Sequence, residues 1–465
     1  MISLKELLLS GKKLLPLIEG GKGISVTTGE SAGAWAAAGG VGTFSGVNAD
    51  YYDEKGKLVE IIYQGKTRVE RHRELIEHAV KGAIAQAKIA FERASGKGRI
   101  HMNILWEMAG AEEILTRVLE GAKGLIHGVT SGAGMPYKMG EICSKAEVYY
   151  YPIVSSARAF RALWKRAYSK TKDFLGGVVY EDPWLAGGHN GLSNSENPLV
   201  PEAPYNRVLA LRSQMREEGV ENIPIIMAGG VWALNEWSDW IDNPDLGAMA
   251  FQFGTRPLLT QESTISDAWK QKLLTLEDKD VLLQTFSPTG FYSSAVKNKF
   301  LLELISRSSR QIIYKSMPEE GFTTALPLGP RGREVFVTDL DRQKALDWMS
   351  KEFTEALKTP DGTIIFVERE NALQIRKDQV DCMGCLSACL FSNWSQHGDL
   401  TTGKKADPRS FCIQKTLYSV SHGGSIDNEL MFAGHNAYRF AKDPFYANGF
   451  IPTVQQLIDR ICTGA

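Results

Sequence analysis

The sequence predicts an α/β chain: a (β/α)8 TIM barrel, a small α/β insertion and a cysteine-rich C-terminal segment. Three observations lead there. Up to about residue 260, eight short apolar runs alternate with helix-like stretches, the pattern of parallel strands joined by crossover helices. Several of these runs end in glycine-rich turns. Four of the six cysteines crowd into residues 382–412, where even spacing would place fewer than one.

The strand-like runs are 14–18, 41–45, 101–105, 124–127, 147–154, 175–180, 223–228 and 247–253. The longest helical stretch, 69–94, repeats Val69, Ile76, Val80, Ala83, Ala87 and Phe91 at helical spacing. Others are 30–38, 110–121, 157–168, 203–218 and 233–241. Eight units favour a closed barrel over the competing arrangement, a doubly wound open sheet. A further helix is expected near 265–275. Residues 301–380 turn highly charged, with strand-like 335–337, a helix over 341–357 and strand-like 363–368. The expected division is 1–300 for the barrel with a lid segment, 301–380 for the insertion and 381–465 for the cysteine segment, which ends in a helix near 453–462.

Composition narrows the function. The chain has 465 residues, 43% hydrophobic and 23% charged, ordinary for a globular protein and unlike a disordered chain, a collagen-like fibre or a coiled coil. Lys and Arg number 53 against 54 Asp and Glu, for a net charge of −1. No bulk field draws nucleic acid, and no apolar run is long enough to span a membrane. Met1 to Ile18 mixes Leu with Lys5, Glu6, Lys12 and Lys13, unlike a signal peptide, so a cytoplasmic location is expected.

The sharpest strand-end motif is Ala186-Gly187-Gly188-His189-Asn190-Gly191. Catalytic groups of a barrel sit at the C-terminal ends of its strands. Glycines let a flat ligand approach the backbone, and an imidazole is suited to move a proton near neutral pH. The plain alternative is a turn with a surface histidine; the placement after the sixth run favours the catalytic role. Glu181 ends the same run, as a ligand acceptor or as a solvated charge. Strand seven ends in Ala228-Gly229-Gly230, and strand eight in Gln252-Phe253-Gly254-Thr255-Arg256. Loops after strands seven and eight form the usual phosphate site of such barrels, with glycines baring N–H groups and Thr255 offering a hydroxyl. Gly20, Gly21 and Gly23, Asn103, Ser131-Gly132-Ala133-Gly134-Met135-Pro136 and Ser155-Ser156 follow other strands. Small and amide-bearing residues around one mouth suit a planar, polar heterocycle. Each alone is an ordinary turn.

Cys382-x2-Cys385-x3-Cys389-x22-Cys412 offers four thiolates. Three close cysteines and a distant one suit a [4Fe–4S] cluster; structural zinc, which prefers two paired knuckles, is the alternative. Cys143 and Cys462 read as ordinary cysteines, and His397, His422 and His435 as surface.

These motifs, with Lys22, SSAR at 155–158, MAGG at 227–230 and QFGTR at 252–256, run over residues 14–260 in an order that resembles the nitronate monooxygenase (2-nitropropane dioxygenase) family of FMN-dependent barrels. The spaced cysteines, SPTGF at 287–291 as a lid segment and FAGHNAYR at 432–439 are similar to a narrower branch. That branch comprises iron–sulfur flavoproteins that dehydrogenate and isomerise acyl-ACP in unsaturated fatty acid synthesis. The resemblance implies FMN at the mouth, held by Gly21, Gly23, Asn103, Ser131, Gly132, Ser155, Glu181, Gly188, Gly229, Gly230, Gln252, Gly254 and Thr255. It implies His189 as base, the four cysteines on a [4Fe–4S] cluster, an acyl carrier protein or a small acyl or nitronate molecule as substrate partner, and a homodimer. Nitronate monooxygenase, NAD(P)H-dependent enoyl-ACP reductase and a non-catalytic flavoprotein are the competing activities; no separate dinucleotide fingerprint is present. Two departures stand out. The family usually has an apolar residue where Lys22 stands, and a cation there would stabilise an anionic reduced flavin or merely reach solvent. The insertion at 301–380 is absent from compact members, and would cover the substrate channel or form a partner surface.

Overall fold

The computed structural model describes residues 4–329 and 332–465; the first three residues of the expected barrel region and positions 330–331 of the expected insertion lie outside the described residues. Eight parallel strands close into a barrel in sequence order, so the open sheet is excluded. They are β1 (Leu17–Glu19), β2 (Val41–Ser45), β3 (Arg99–Leu105), β4 (Gly128–Gly132), β5 (Tyr149–Val154), β6 (Val178–Glu181), β7 (Ile225–Ala228) and β8 (Met249–Phe253). β8 pairs with β1 to shut the ring, Gln252 opposite Ile18. A hairpin of Leu7–Leu9 and Lys12–Leu14 precedes it.

Six helices follow the first six strands: α1 (Gly29–Ala37), α2 (Arg68–Ala94), α3 (Ala111–Gly121), α4 (Met139–Lys145), α5 (Ala157–Arg166) and α6 (Pro204–Glu217). Each begins for a local reason where a cap is present. Thr67 and Glu70 form a capping box at α2, and Ser156 accepts from Ala159 N at α5. α2 buries Leu75, Ala79, Ala83, Ala87 and Ala90 at helical spacing. Its alanines let α1 approach closely: a Cβ on Gly33 would lie 2.4 Å from Arg93 Cβ.

Three expectations are corrected. The fourth strand is 128–132, not 124–127. Gly124 takes a positive φ of 79° and the turn after α3 runs through Leu125, while the strand itself is the small, polar run GVTSG. The expected helix over 233–241 is a 3-10 segment, Leu234–Trp240, broken at Trp237. The expected helix over 341–357 is Asp339–Ser350; Glu352 takes a positive φ of 76° and the chain continues as an edge strand, Glu355–Lys358.

Beyond the barrel, helix Lys299–Ser309 leads to an antiparallel sheet of Gln311–Ile313, Thr363–Val367 and Glu355–Lys358, with Thr363–Val367 central. That strand alternates faces. Ile364 and Phe366 join a small core with Ile312, Leu326 and Val337, whereas Ile365 and Val367 join the main core. Helix Arg369–Val380 then delivers the chain to Cys382. A helix at Ile413–Ser421, two 3-10 segments and a last helix at Val454–Cys462 complete the molecule. Among the described residues no helix is long and apolar enough to cross a membrane.

Candidate active site

A cavity opens at the C-terminal ends of the barrel strands. Gly20, Gly21, Lys22 and Gly23 line it after β1, Asn103 and Leu105 at β3, and Thr130 and Gly132 at β4. Glu181 lines it at β6, Gly229 and Gly230 after β7, and Gln252, Gly254 and Thr255 at β8. Gly188 and His189 line it from a short strand of their own. Of the residues expected at the site, Ser131 and Ser155 are not on this wall. Ser131 lies between inward-facing Thr130 and Gly132, and successive strand residues point to opposite faces; its hydroxyl is buried without a partner. Ser155 Oγ donates to the Gly191 carbonyl at 2.9 Å and so braces the turn after His189.

Gly188–His189 pairs antiparallel with strand Ser293–Val296, Ser293 opposite His189, and that strand pairs with Val281–Gln284. A sheet thus fixes the backbone of His189. Its ring is fixed by Ser287 Oγ, 2.7 Å from Nε2, and by Phe432, edge-on at 5.4 Å between ring centres. By surface area His189 is half-buried, yet enough protein surrounds the ring that desolvation lowers its pKa to about 4. The imidazole is neutral at physiological pH, ready to accept a proton.

Lys22 Nζ donates to the Gly20 carbonyl at 2.7 Å and stands 3.8 Å from Glu19 Oε1. Burial pushes the Glu19 carboxyl up and pulls the Lys22 ammonium down; each group's charge partly restores the other. Burial, then the neighbouring Asp182, raises Glu181 to about 8. Glu181 therefore carries a proton at neutral pH and presents a donor to the cavity. Asn103 Nδ2 is held by Thr130 Oγ1 at 3.3 Å.

The turn after β7 has φ of 88° at Gly229 and 78° at Gly230, conformations only glycine adopts freely. A Cβ on Gly254 would meet nothing within 4 Å, so that turn also bares backbone to the cavity. The C-terminal segment docks on both turns. Gly434 N donates to Thr255 Oγ1 at 2.9 Å, and Asn436 Nδ2 to the Gly230 carbonyl at 2.7 Å. Ile413, Leu417, Val420, Leu430, Met431 and Phe432 form an apolar roof over the polar floor. Reading the sequence missed most of this roof; its one visible signal was FAGHNAYR at 432–439. Arg256 faces away, donating to the Trp232 carbonyl and paired with Asp443.

The donor set fits a flavin mononucleotide. An ammonium and amides at Lys22, Asn103 and Gln252 match the carbonyl- and nitrogen-bearing edge of an isoalloxazine, and glycine turns after β7 and β8 match its phosphate.

The four clustered cysteines lie beside the barrel, Cys382 and Cys389 buried and Cys385 and Cys412 half-buried. Burial, then the thiols of Cys412, Cys389 and Cys382, raises the Cys385 thiol. Cys382 Sγ accepts from Ser392 Oγ at 3.1 Å and Gly384 N at 3.4 Å. Among the described residues, no three ligating side chains are drawn into one metal-holding group. The segment is tied to the loop after β3: Ala109 N donates to the Cys385 carbonyl and Ser387 N to the Glu107 carbonyl. Arg68, Arg71 and His72 at the start of α2 bond its backbone carbonyls.

Similar solved structures include the enoyl reductase domain of MlnA from the macrolactin biosynthesis cluster of Bacillus amyloliquefaciens. It is 10% identical, with 97% of this chain and 93% of that chain covered and a TM-score of 0.54. FabK from Thermotoga maritima is 16% identical, covering 97% and 92%, with a TM-score of 0.49. Nitroalkane oxidase from Streptomyces ansochromogenes is 14% identical, covering 97% and 95%, with a TM-score of 0.48. These likenesses concern the fold. A comparison with curated proteins returns no match. The profile described as nitronate monooxygenase matches residues 9–326, well over half of the sequence, and the chain belongs to that family of flavin-dependent oxidoreductases.

Proposed function

We propose that the protein oxidises an acyl thioester, carried on an acyl carrier protein, at a carbon–carbon bond. The observation that carries this reading is the cavity's division into a polar floor and an apolar roof of Ile413, Leu417, Val420, Leu430, Met431 and Phe432. An apolar chain removes that roof from water, each buried CH2 contributing about 0.8 kcal/mol; a small nitronate leaves it uncovered. FMN, bound by Gly21, Gly23, Asn103, Gly132, Glu181, Gly188, Gly229, Gly230, Gln252, Gly254 and Thr255, supplies the hydride acceptor.

His189, neutral because it is desolvated, takes the proton from the acyl α-carbon. Returning that proton at another carbon isomerises the alkene. Backbone N–H groups beside His189, apart from the phosphate-holding turns after β7 and β8, stabilise the developing enolate oxygen. Glu181, protonated, donates to an acceptor on the cavity floor. Cys382, Cys385, Cys389 and Cys412 would hold a [4Fe–4S] cluster in this reading, supported by their spacing of three close cysteines and a distant one.

The test is an anaerobic absorbance titration of the flavin-loaded protein with a saturated acyl carrier protein. Prompt bleaching of the flavin band is expected. Bleaching by NAD(P)H alone moves the assignment to an enoyl reductase, and bleaching by an alkyl nitronate alone to a nitronate monooxygenase.

A further inference from the structure

Ser287 and Thr289 lie beside His189 in residues 287–291, and their hydroxyls continue outward from its ring. His189 Nε2 stands 2.7 Å from Ser287 Oγ, and Ser287 Oγ stands 2.8 Å from Thr289 Oγ1. Each hydroxyl oxygen also accepts a main-chain donor: Thr289 N to Ser287 Oγ at 3.3 Å, and Phe291 N to Thr289 Oγ1 at 3.2 Å. Each hydroxyl still keeps its O–H and a second lone pair, so His189, Ser287 and Thr289 form an unbroken hydrogen-bonded chain able to pass a proton outward. Ser287 is buried, Thr289 is half-buried and Gly290 is exposed, so the chain leads from an enclosed ring to water.

We infer that Ser287 and Thr289 form a proton exit from His189, which lets the base reset without opening the cavity. The inference rests on the proposed role of His189. With Nε2–H donating to Ser287, Nδ1 is the free base of the neutral ring. The bond between the acyl α-carbon and its hydrogen breaks, and the proton passes to Nδ1. The pair from that bond becomes the new carbon–carbon π bond, and the β-carbon–hydrogen bond breaks with its own pair leaving as hydride, which the flavin of the proposed reaction would accept. The Nε2 proton then moves to Ser287 Oγ, the Ser287 proton to Thr289 Oγ1, and the Thr289 proton to bulk water. One proton enters at Nδ1 and one leaves from Nε2; the ring is then the Nδ1–H tautomer, and exchange of that proton to Nε2, with the two hydroxyls turning back, restores Nδ1 as the free base for the next turnover.

The experiment separates a relay from a mere ring support. The flavin-loaded protein and its Thr289→Val, Thr289→Ser, Ser287→Ala and His189→Ala variants are bleached once, anaerobically, with a saturated acyl carrier protein. They are then turned over in H2O and D2O, with ferricenium as the electron acceptor. A single bleaching needs only one proton on His189, so Thr289→Val bleaches within about twofold of wild type. Its steady turnover falls about tenfold, less than the 10²–10⁴-fold of a lost general base. Its solvent isotope effect rises, imidazole buffer restores its rate, and Thr289→Ser turns over like wild type. Ser287→Ala interrupts the same path and shows the same rescue by buffer. Wild-type turnover in Thr289→Val, or bleaching and turnover that slow by one factor without rescue, overturns the relay while leaving His189 as base. Absence of bleaching in the wild type, or full bleaching in His189→Ala, overturns the base assignment and the relay together.

Discussion

Among the described residues, Lys22 is the cation that lines the cavity. Its ammonium is held at the Gly20 carbonyl and near Glu19 rather than out in solvent. A cation at contact range stabilises an added negative charge by about 1–4 kcal/mol at interior screening. For a two-electron couple about 1.4 kcal/mol corresponds to 30 mV. Lys22→Met is therefore expected to lower the flavin reduction potential by roughly 20–80 mV, measured by dye-coupled titration; an unchanged potential removes Lys22 from the site's chemistry. The variant stays folded because Glu19, with its carboxyl pushed up by burial, keeps its proton once the lysine is gone. At this scale the sequence was most legible where chemistry is local. His189, Glu181 and the glycine turns all line the cavity, because each sits within a few residues of a strand end. Ser131 misled, since a one-residue step along β4 turns a side chain from the cavity to the helix layer and puts Thr130 on the wall instead.

Elements were legible in proportion to their apolar periodicity. α2 was read to within a residue at its start, because an alanine-rich stripe and the Thr67–Glu70 box both mark it. β4 was displaced because GVTSG holds a single large apolar residue, and its burial comes from neighbours that local pattern does not report. α2 also has a task that no pattern in its own sequence shows. Arg71 donates to the Cys382 carbonyl at 3.1 Å and the Val380 carbonyl at 2.9 Å, and Arg68 to the Ser392 and Gln379 carbonyls. Hydrogen bonds from a charged donor contribute about 1.5–3 kcal/mol each when buried, and less here because Arg71 is only part-buried. Arg71→Ala is expected to loosen residues 380–396 by about 1–3 kcal/mol, read as faster amide exchange there with the barrel amides unchanged. If a cluster occupies the four cysteines, iron content falls from about four per chain in the same variant. Unchanged exchange in 380–396 shows that the loop after β3 holds the segment by itself.

At the scale of the whole molecule, the roof of the site and the neutral state of its base both come from contacts between distant segments. Residues 413–436 cover strand ends more than 150 positions away, and this is why the roof was illegible in sequence. Enclosure also sets the acid–base behaviour of the fold. Desolvation lowers His101 to about 3, and His127 and His189 to about 4. Below pH 6.5 the unfolded chain takes protons on these rings and the folded chain does not. Stability therefore falls as pH drops from 6.5 towards 4, by about 1.4 kcal/mol per pH unit for each fully buried ring. The buried carboxyls act with the opposite sign. Glu181, pushed from its ordinary 4.5 to about 8 in the fold, keeps a proton that the unfolded chain has already released; Glu19 and Asp182 are raised by burial in the same direction. Their contribution falls as pH rises above 4.5. Between 4.5 and 6.5 the histidines offset the carboxyls, and above 6.5 only the carboxyls remain, until Glu181 ionises at about 8. The flavin-free protein is thus expected to hold its melting temperature roughly level from about pH 5 to 6.5 and to melt lower as pH rises from 6.5 towards 8. Glu181→Gln should flatten the decline between pH 6.5 and 8 and steepen the fall on the acid side, where the histidines then meet one fewer opposing carboxyl. Scanning calorimetry at half-unit intervals from pH 5 to 8 checks both statements. A melting temperature that keeps rising from 6.5 to 8 means that the Glu181 carboxyl is ionised in the folded cavity, and the proton it is assigned on the cavity floor is then absent.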